Sequence, residues 1–200
     1  MEATLVRSKG VILFLAGALA ALAIGWYAFP AILYRTEPQP MQFNHAIHTG
    51  EQNGMTCDMC HEFAEDGRFK GIPAIAKCAE CHASPLGSTE TEKTLVEEYI
   101  TPQREIPWKV YSRQPDNAFF PHAPHVKRTE IPCSECHGQH GSSDRLPEYQ
   151  VNRISGYSRD IWGRNISGFP SEPWEGMKMD RCVNCHAERG RNDSCLDCHK

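Results

Sequence analysis

The sequence predicts a mainly α-helical protein with much irregular structure and almost no sheet: one N-terminal transmembrane helix, then a polar domain built on short helical turns. Three observations predict this. Residues Gly10 to Tyr34 carry no charge. All ten cysteines fall into five identical Cys-x-x-Cys-His frames. The remaining stretch of about 165 residues is too polar to bury a conventional apolar core, so something other than side chains must fill its interior. The formal net charge of −4 points neither to nucleic acid nor to an acidic tail.

The apolar stretch, "GVILFLAGALAALAIGWYAFPAILY", comes first in the chain. Twenty-five residues at about 1.5 Å each span roughly 37 Å, enough for a hydrocarbon layer of about 30 Å with some tilt. Trp26, Tyr27 and Tyr34 stand toward its far end, where interfacial aromatics belong. A cleaved signal peptide is the competing reading, with Ala18-Leu19-Ala20 as its small-residue site. The run continues well past that point, which favours a retained anchor in membrane lipid. Arg7 and Lys9 precede the helix and only Arg35 follows closely, so the charge bias puts the bulk of the chain outside the cytoplasm.

The five frames are Cys57-Cys60-His61, Cys78-Cys81-His82, Cys133-Cys136-His137, Cys182-Cys185-His186 and Cys195-Cys198-His199. Two thiols three residues apart can each form a thioether to one haem edge, and the adjacent histidine then reaches the iron. Zinc sites pair Cys-x-x-Cys units, and five is odd; they also have no need of a histidine at the same place each time. A thioredoxin-like pair would occur once, in a βαβ setting that is absent here. Disulfides between such close cysteines would leave the histidines unexplained. Five covalently attached haem c groups are therefore expected. Their attachment machinery works outside the bacterial inner membrane, in agreement with the helix orientation.

Five histidines are left over: His45, His48, His122, His125 and His140. A six-coordinate haem iron needs one ligand beyond its frame histidine, so the two sets balance. Lone histidines are usually surface residues. Four of these five, however, sit in two copies of Phe-x-His-x-x-His, "FNHAIH" and "FPHAPH". Residues three apart share a helical face at different levels, so one pair can serve two irons. Met177 and Met179 precede Cys182, and a methionine ligand there would raise that iron's potential. Packing or exposed methionines are the plainer reading.

The Phe-x-His-x-x-His pair followed by Cys-x-x-Cys-His resembles the class III cytochromes, the small c3 and c7 proteins. That resemblance implies that His45 serves the His61 haem and His48 the His82 haem. In the second copy it implies His122 for the His137 haem, His125 for the His186 haem and His140 for the His199 haem.

The chain then divides into an anchor (1–36), a two-haem module (37–84) opening on the Pro-rich tether "TEPQPMQ", a connector (85–117) and a three-haem c7-like module (118–200). A short helix is expected over Thr91–Ile100, its acidic run a solvated face. The Ile106-Pro107-Trp108 segment ahead of the second histidine pair resembles the cytochrome subunits of two membrane complexes, the menaquinone reductase complex of sulfate reducers and alternative complex III. Some forty residues separate His140 from Cys182 without a frame, and long loops of this kind are often functional. Tyr149, Tyr157, Trp162, Phe169 and Trp174 there are expected to dock a partner subunit or cover haem faces. Asn165-Ile-Ser167 matches a glycosylation acceptor that a bacterial setting does not use.

Saturated irons leave no position for a substrate, so electron transfer is the expected function, with no catalytic residue on this chain. The resemblance to the menaquinone reductase subunit implies a single-pass protein of the bacterial inner membrane with its haem domain in the periplasm. It would pass electrons between a soluble periplasmic cytochrome c3 and iron–sulfur and integral-membrane subunits. The complex III counterpart, running from menaquinol to an acceptor, and a stand-alone membrane-anchored quinol dehydrogenase are the alternatives. A multihaem reductase would need an open iron.

Overall fold

A computed structural model describes residues 2–110, 112, 117–156, 179–192 and 194–199. The aromatic and methionine positions Tyr157, Trp162, Phe169, Trp174 and Met177, together with Asn165-Ile-Ser167, lie outside the described residues.

The Ala- and Leu-rich N-terminus forms a continuous helical rod: α1 (Glu2–Ala23), one π-helical turn (Ile24–Ala28) and α2 (Phe29–Leu33). Pro30, at the start of α2, has no amide hydrogen to give the helical ladder, and the π turn stands directly before α2. Side chains from Lys9 to Phe29 are exposed apart from half-covered Ala18. The Lys9–Ala28 part is long and apolar enough to cross a membrane.

Directly after the rod, β1 (Tyr34–Glu37) pairs antiparallel with β2 (Tyr149–Asn152), Tyr34 opposite Asn152 and Glu37 opposite Tyr149. Among the described residues this is the one sheet, in keeping with the expected scarcity of strands. Just beyond β2, the Arg153 amide donates to the Leu33 carbonyl at 2.8 Å and its Nε to the Ile32 carbonyl at 3.0 Å. The last carbonyls of the helix, which have no partner within it, are thus satisfied.

The Pro-rich tether is held rather than loose. Gln39 makes a two-way clamp, its Nε2 donating to the Lys109 carbonyl (2.9 Å) and its Oε1 accepting from the Lys109 amide (3.0 Å). The Lys109 ammonium reaches Glu37 at 2.5 Å, and the Leu146 amide donates to Gln42 Oε1 at 3.0 Å. The connector and the long loop therefore both bear on the stretch between membrane helix and first module.

Short helices follow wherever a frame or histidine pair occurs: α3 (His45–Thr49), α4 (Cys57–Cys60), α5 (Ile75–His82), α7 (Cys133–His137), α8 (Met179–Glu188) and α9 (Cys195–Cys198). The connector carries α6 (Glu90–Thr94), which runs into a π-helical stretch (Leu95–Ile100), close to the expected helix. Thr89 caps α6 by accepting from the Glu92 amide at 3.2 Å. Buried Ile75 on α5 and buried Val96 and Tyr99 form a small apolar cluster between these elements. At about 1.5–3 kcal/mol per buried side chain it is enough to seat the connector on the first module, and far short of a domain core. Helix α3 touches the turn after α7: the Ala46 amide donates to the Ser143 carbonyl at 3.0 Å, and the Thr49 hydroxyl donates to the Gly141 carbonyl.

Replacing Gln39 with Ala leaves the Lys109 amide and carbonyl without their clamp, a loss of about 1–3 kcal/mol. Limited proteolysis of the Gln39→Ala protein is expected to cut faster between Glu37 and Met41 than in the parent chain.

Candidate haem sites

All five frames lie on helical turns that bring their two thiols to one side. The ten thiols are free and lie at half-covered or exposed positions. Burial pushes Cys60, Cys78, Cys133, Cys136 and Cys182 above the ordinary thiol range, and in each case another frame's cysteine lies close enough to act on it. Cys60 faces Cys81, and Cys78 faces Cys60. Cys133 meets Cys57 in a thiol–thiol contact. Cys136 faces Cys185, and Cys182 lies near Cys136 and Cys198. The first frame thus neighbours the second and the third, the third neighbours the fourth, and the fourth neighbours the fifth, relations the sequence does not reveal.

The histidines supply the other half of the geometry. Two imidazoles bound to one first-row metal at about 2 Å each, with ring centres about 1.2 Å behind the nitrogens, stand roughly 6.3 Å apart. His122 and His137 have ring centres 6.3 Å apart and planes only 4° from parallel. His125 and His186 are separated by 5.9 Å at 13°, and His48 and His82 by 6.1 Å at 51°. His45 is half-buried beside His61, His140 and His48; burial first, then these neighbours, depress its pKa to about 4. Burial, with His137 and His125, likewise takes His122 to about 4. Burial and an adjacent histidine also lower His137 and His140. The rings are thus neutral, the form that binds metal. His140, on the 3-10 turn His140–Ser142, sits beside His45 and His137. His199 donates from Nδ1 to the Asn117 carbonyl at 3.1 Å and bridges to Ala118.

Hydrogen bonds fix which nitrogen is free. Nδ1 of His48 donates to the Asn44 carbonyl (2.8 Å), that of His125 to the Pro121 carbonyl (2.8 Å) and that of His61 to the Gly71 carbonyl (2.9 Å). A proton held at Nδ1 leaves Nε2 with its lone pair outward, as a metal ligand requires. Gly71 makes this possible by adopting φ 82°, a left-handed conformation that a side chain would strain. Asn44 serves twice, because its side chain also caps α3 by accepting from the Ile47 amide at 3.0 Å. The donor set fits haem c: paired thiols beside an imidazole, with opposed neutral imidazoles at the spacing one iron needs.

The phenylalanine of each Phe-x-His-x-x-His copy has a role that the pattern alone does not explain. Phe43 stacks on His48 (4.5 Å, 17°) and meets His45 edge-on (4.7 Å, 78°). Phe120 repeats this on His125 (4.5 Å, 27°) and His122 (5.0 Å, 87°). Phe69, unremarked in the sequence, stacks on His122 at 4.2 Å and faces His61 at 6.3 Å, linking first and third frames. The acidic run of the connector is not uniformly solvated. Glu97 and Glu98 are exposed, but Glu92 turns inward and accepts from His82 Nδ1 at 2.7 Å. Burial would raise the Glu92 carboxyl; the His82 and Leu86 N–H donors outweigh that and hold it below its ordinary range. Met179 is 71% exposed, on the surface at the start of α8. The Tyr149 ring lies under the Lys109 ammonium, 5.8 Å from its centre.

Fold and donor set together define a multihaem c-type cytochrome with one N-terminal helix long and apolar enough to cross a membrane. A family model described as cytochrome c3 matches residues 47–149. The chain is also 37% identical over 203 residues, covering 94% of its length and 89% of the relative's, to the menaquinone reductase multihaem cytochrome c subunit of Nitratidesulfovibrio vulgaris. The chain belongs to the cytochrome c3 family, and with it to the proteins that bind haem c covalently and carry electrons.

Replacing His122 with Gly should convert one haem from low-spin to high-spin and open it to carbon monoxide, leaving the other haems' spectra in place. Visible and electron paramagnetic resonance spectra of the mature protein check this.

Proposed function

We propose that this chain is the electron-carrying subunit of a menaquinone reductase complex in the bacterial inner membrane. Its Lys9–Ala28 segment anchors it and its haem domain lies in the periplasm. There it takes electrons from a soluble periplasmic cytochrome c3 and hands them to iron–sulfur and integral-membrane subunits. Five haem c groups are tethered at Cys57/Cys60, Cys78/Cys81, Cys133/Cys136, Cys182/Cys185 and Cys195/Cys198. His61, His82, His137, His186 and His199 ligate from the frames; His45, His48, His122, His125 and His140 ligate opposite them in that order of pairing (His45–His61, His48–His82, His122–His137, His125–His186, His140–His199).

The observation that carries this reading is the set of opposed imidazole pairs at 5.9–6.3 Å. Haem c, when bound, supplies a one-electron iron centre. The frame histidines and their partner imidazoles would hold the iron and keep water and substrates off it, which favours transfer over chemistry. The row of frames, each beside the next, supports conduction from one end to the other. Similarity over most of the chain to a menaquinone reductase subunit supports the choice of complex.

Purification of the native protein from membranes is the test. Iron–sulfur and polytopic partners, five haems by mass, reduction by cytochrome c3 and menaquinone reduction by the assembly are expected. Isolation alone with quinol-dehydrogenase activity, or a marked carbon monoxide shift in the reduced protein, would contradict the reading.

A further inference from the structure

Among the imidazoles of His45, His48, His61, His82, His125 and His199, one has a carboxylate partner. Nδ1 of His48, His61, His125 and His199 each donates to a neutral backbone carbonyl. His45 has only the Ser143 hydroxyl, at 3.5 Å. His82 instead donates to the carboxylate of Glu92 at 2.7 Å, with the two side chains 17% and 15% exposed. The carboxylate is held for the purpose. The Thr89 hydroxyl fixes the Glu92 backbone, and the Leu86 amide donates to the same Oε1 at 3.1 Å. The flanking apolar cluster of Ile75, Val96 and Tyr99 locks α5 against the connector. Glu92 therefore cannot swing to water without breaking a preorganised turn.

A carboxylate acceptor draws the Nδ1 proton toward itself and leaves the imidazole more electron-rich at Nε2 than a carbonyl acceptor does. An electron-rich axial ligand stabilises ferric over ferrous iron and lowers the reduction potential, and a nearby negative charge in a partly dry setting acts in the same direction. Resting on the haem assignment above, we propose that Glu92 is a positioning residue that makes the haem on the Cys78–Cys81–His82 frame the most reducing on this chain. That frame lies beside the first frame. The hydrogen bond thus sets a potential step between the haems of the first two frames.

Redox titration of the full-length mature protein, followed optically and by electron paramagnetic resonance, tests this with two variants. Glu92→Gln keeps an acceptor near Nδ1 and removes its charge; the lowest midpoint is expected to rise and the others to hold. Glu105→Gln removes a nearby carboxylate that accepts from the Ile75 amide at 2.9 Å and acts on Cys78 only through space; it is expected to raise that midpoint by less than Glu92→Gln. Glu92→Asp keeps the charge but draws it back by one methylene, and should raise the same midpoint by less than Glu92→Gln. The proposal is overturned if Glu92→Gln moves no midpoint, moves several equally, or is matched by Glu105→Gln. Mass spectrometry of the Cys78–Cys81 peptide separates the two failures. A bare peptide sinks the haem assignment itself; a haem-bearing peptide with an unmoved midpoint sinks only the role of Glu92.

Discussion

The structure depends on imidazole rings set opposite one another in pairs at 5.9–6.3 Å. Every other feature serves that spacing. The Asn44, Pro121, Gly71 and Asn117 carbonyls orient rings by taking the Nδ1 proton. Phe43 and Phe120 press flat on the second ring of each pair and edge-on to the first, so neither ring can rotate freely. Burial keeps His45 and His122 neutral. A chain with four buried apolar residues among its described residues, none of them fully covered, cannot obtain its rigidity from a core. It obtains it from rings held in register, and from the groups those rings bind.

This arrangement also explains why so little regular structure is needed. Each frame requires one helical turn, enough to bring two thiols and a histidine together. Between frames the chain need only travel, and its hydrogen bonds go to turns and side-chain caps. The places where it does build something firmer are the junctions. The β1–β2 pairing and the Gln39–Lys109 clamp tie the membrane helix to the haem domain. Phe69 between His61 and His122 joins the two modules at the level of their ligands.

The chemistry was legible in the sequence because covalent attachment is local: two cysteines and a histidine must be neighbours in the chain to meet one haem edge. The Phe-x-His-x-x-His pairs were legible for the same reason, being one turn long. What depends on distant residues was not. β1 and β2 are four-residue strands with little alternation, more than a hundred positions apart, and neither reads as a strand alone. Glu92 looks like any acid on a surface helix until α5 is folded against it. The third frame lies beside the first, and nothing in their spacing says so. His140 stands outside both Phe-x-His-x-x-His copies, and the structure places it beside His45 and His137.

The most direct test of opposed imidazole ligation is near-infrared magnetic circular dichroism of the oxidised, full-length protein, which distinguishes histidine–histidine irons from those with a methionine or water ligand. A spectrum made up entirely of histidine–histidine bands, with an intensity matching the haem count, is the predicted result. A methionine-type or high-spin band of one haem's strength or more would contradict it.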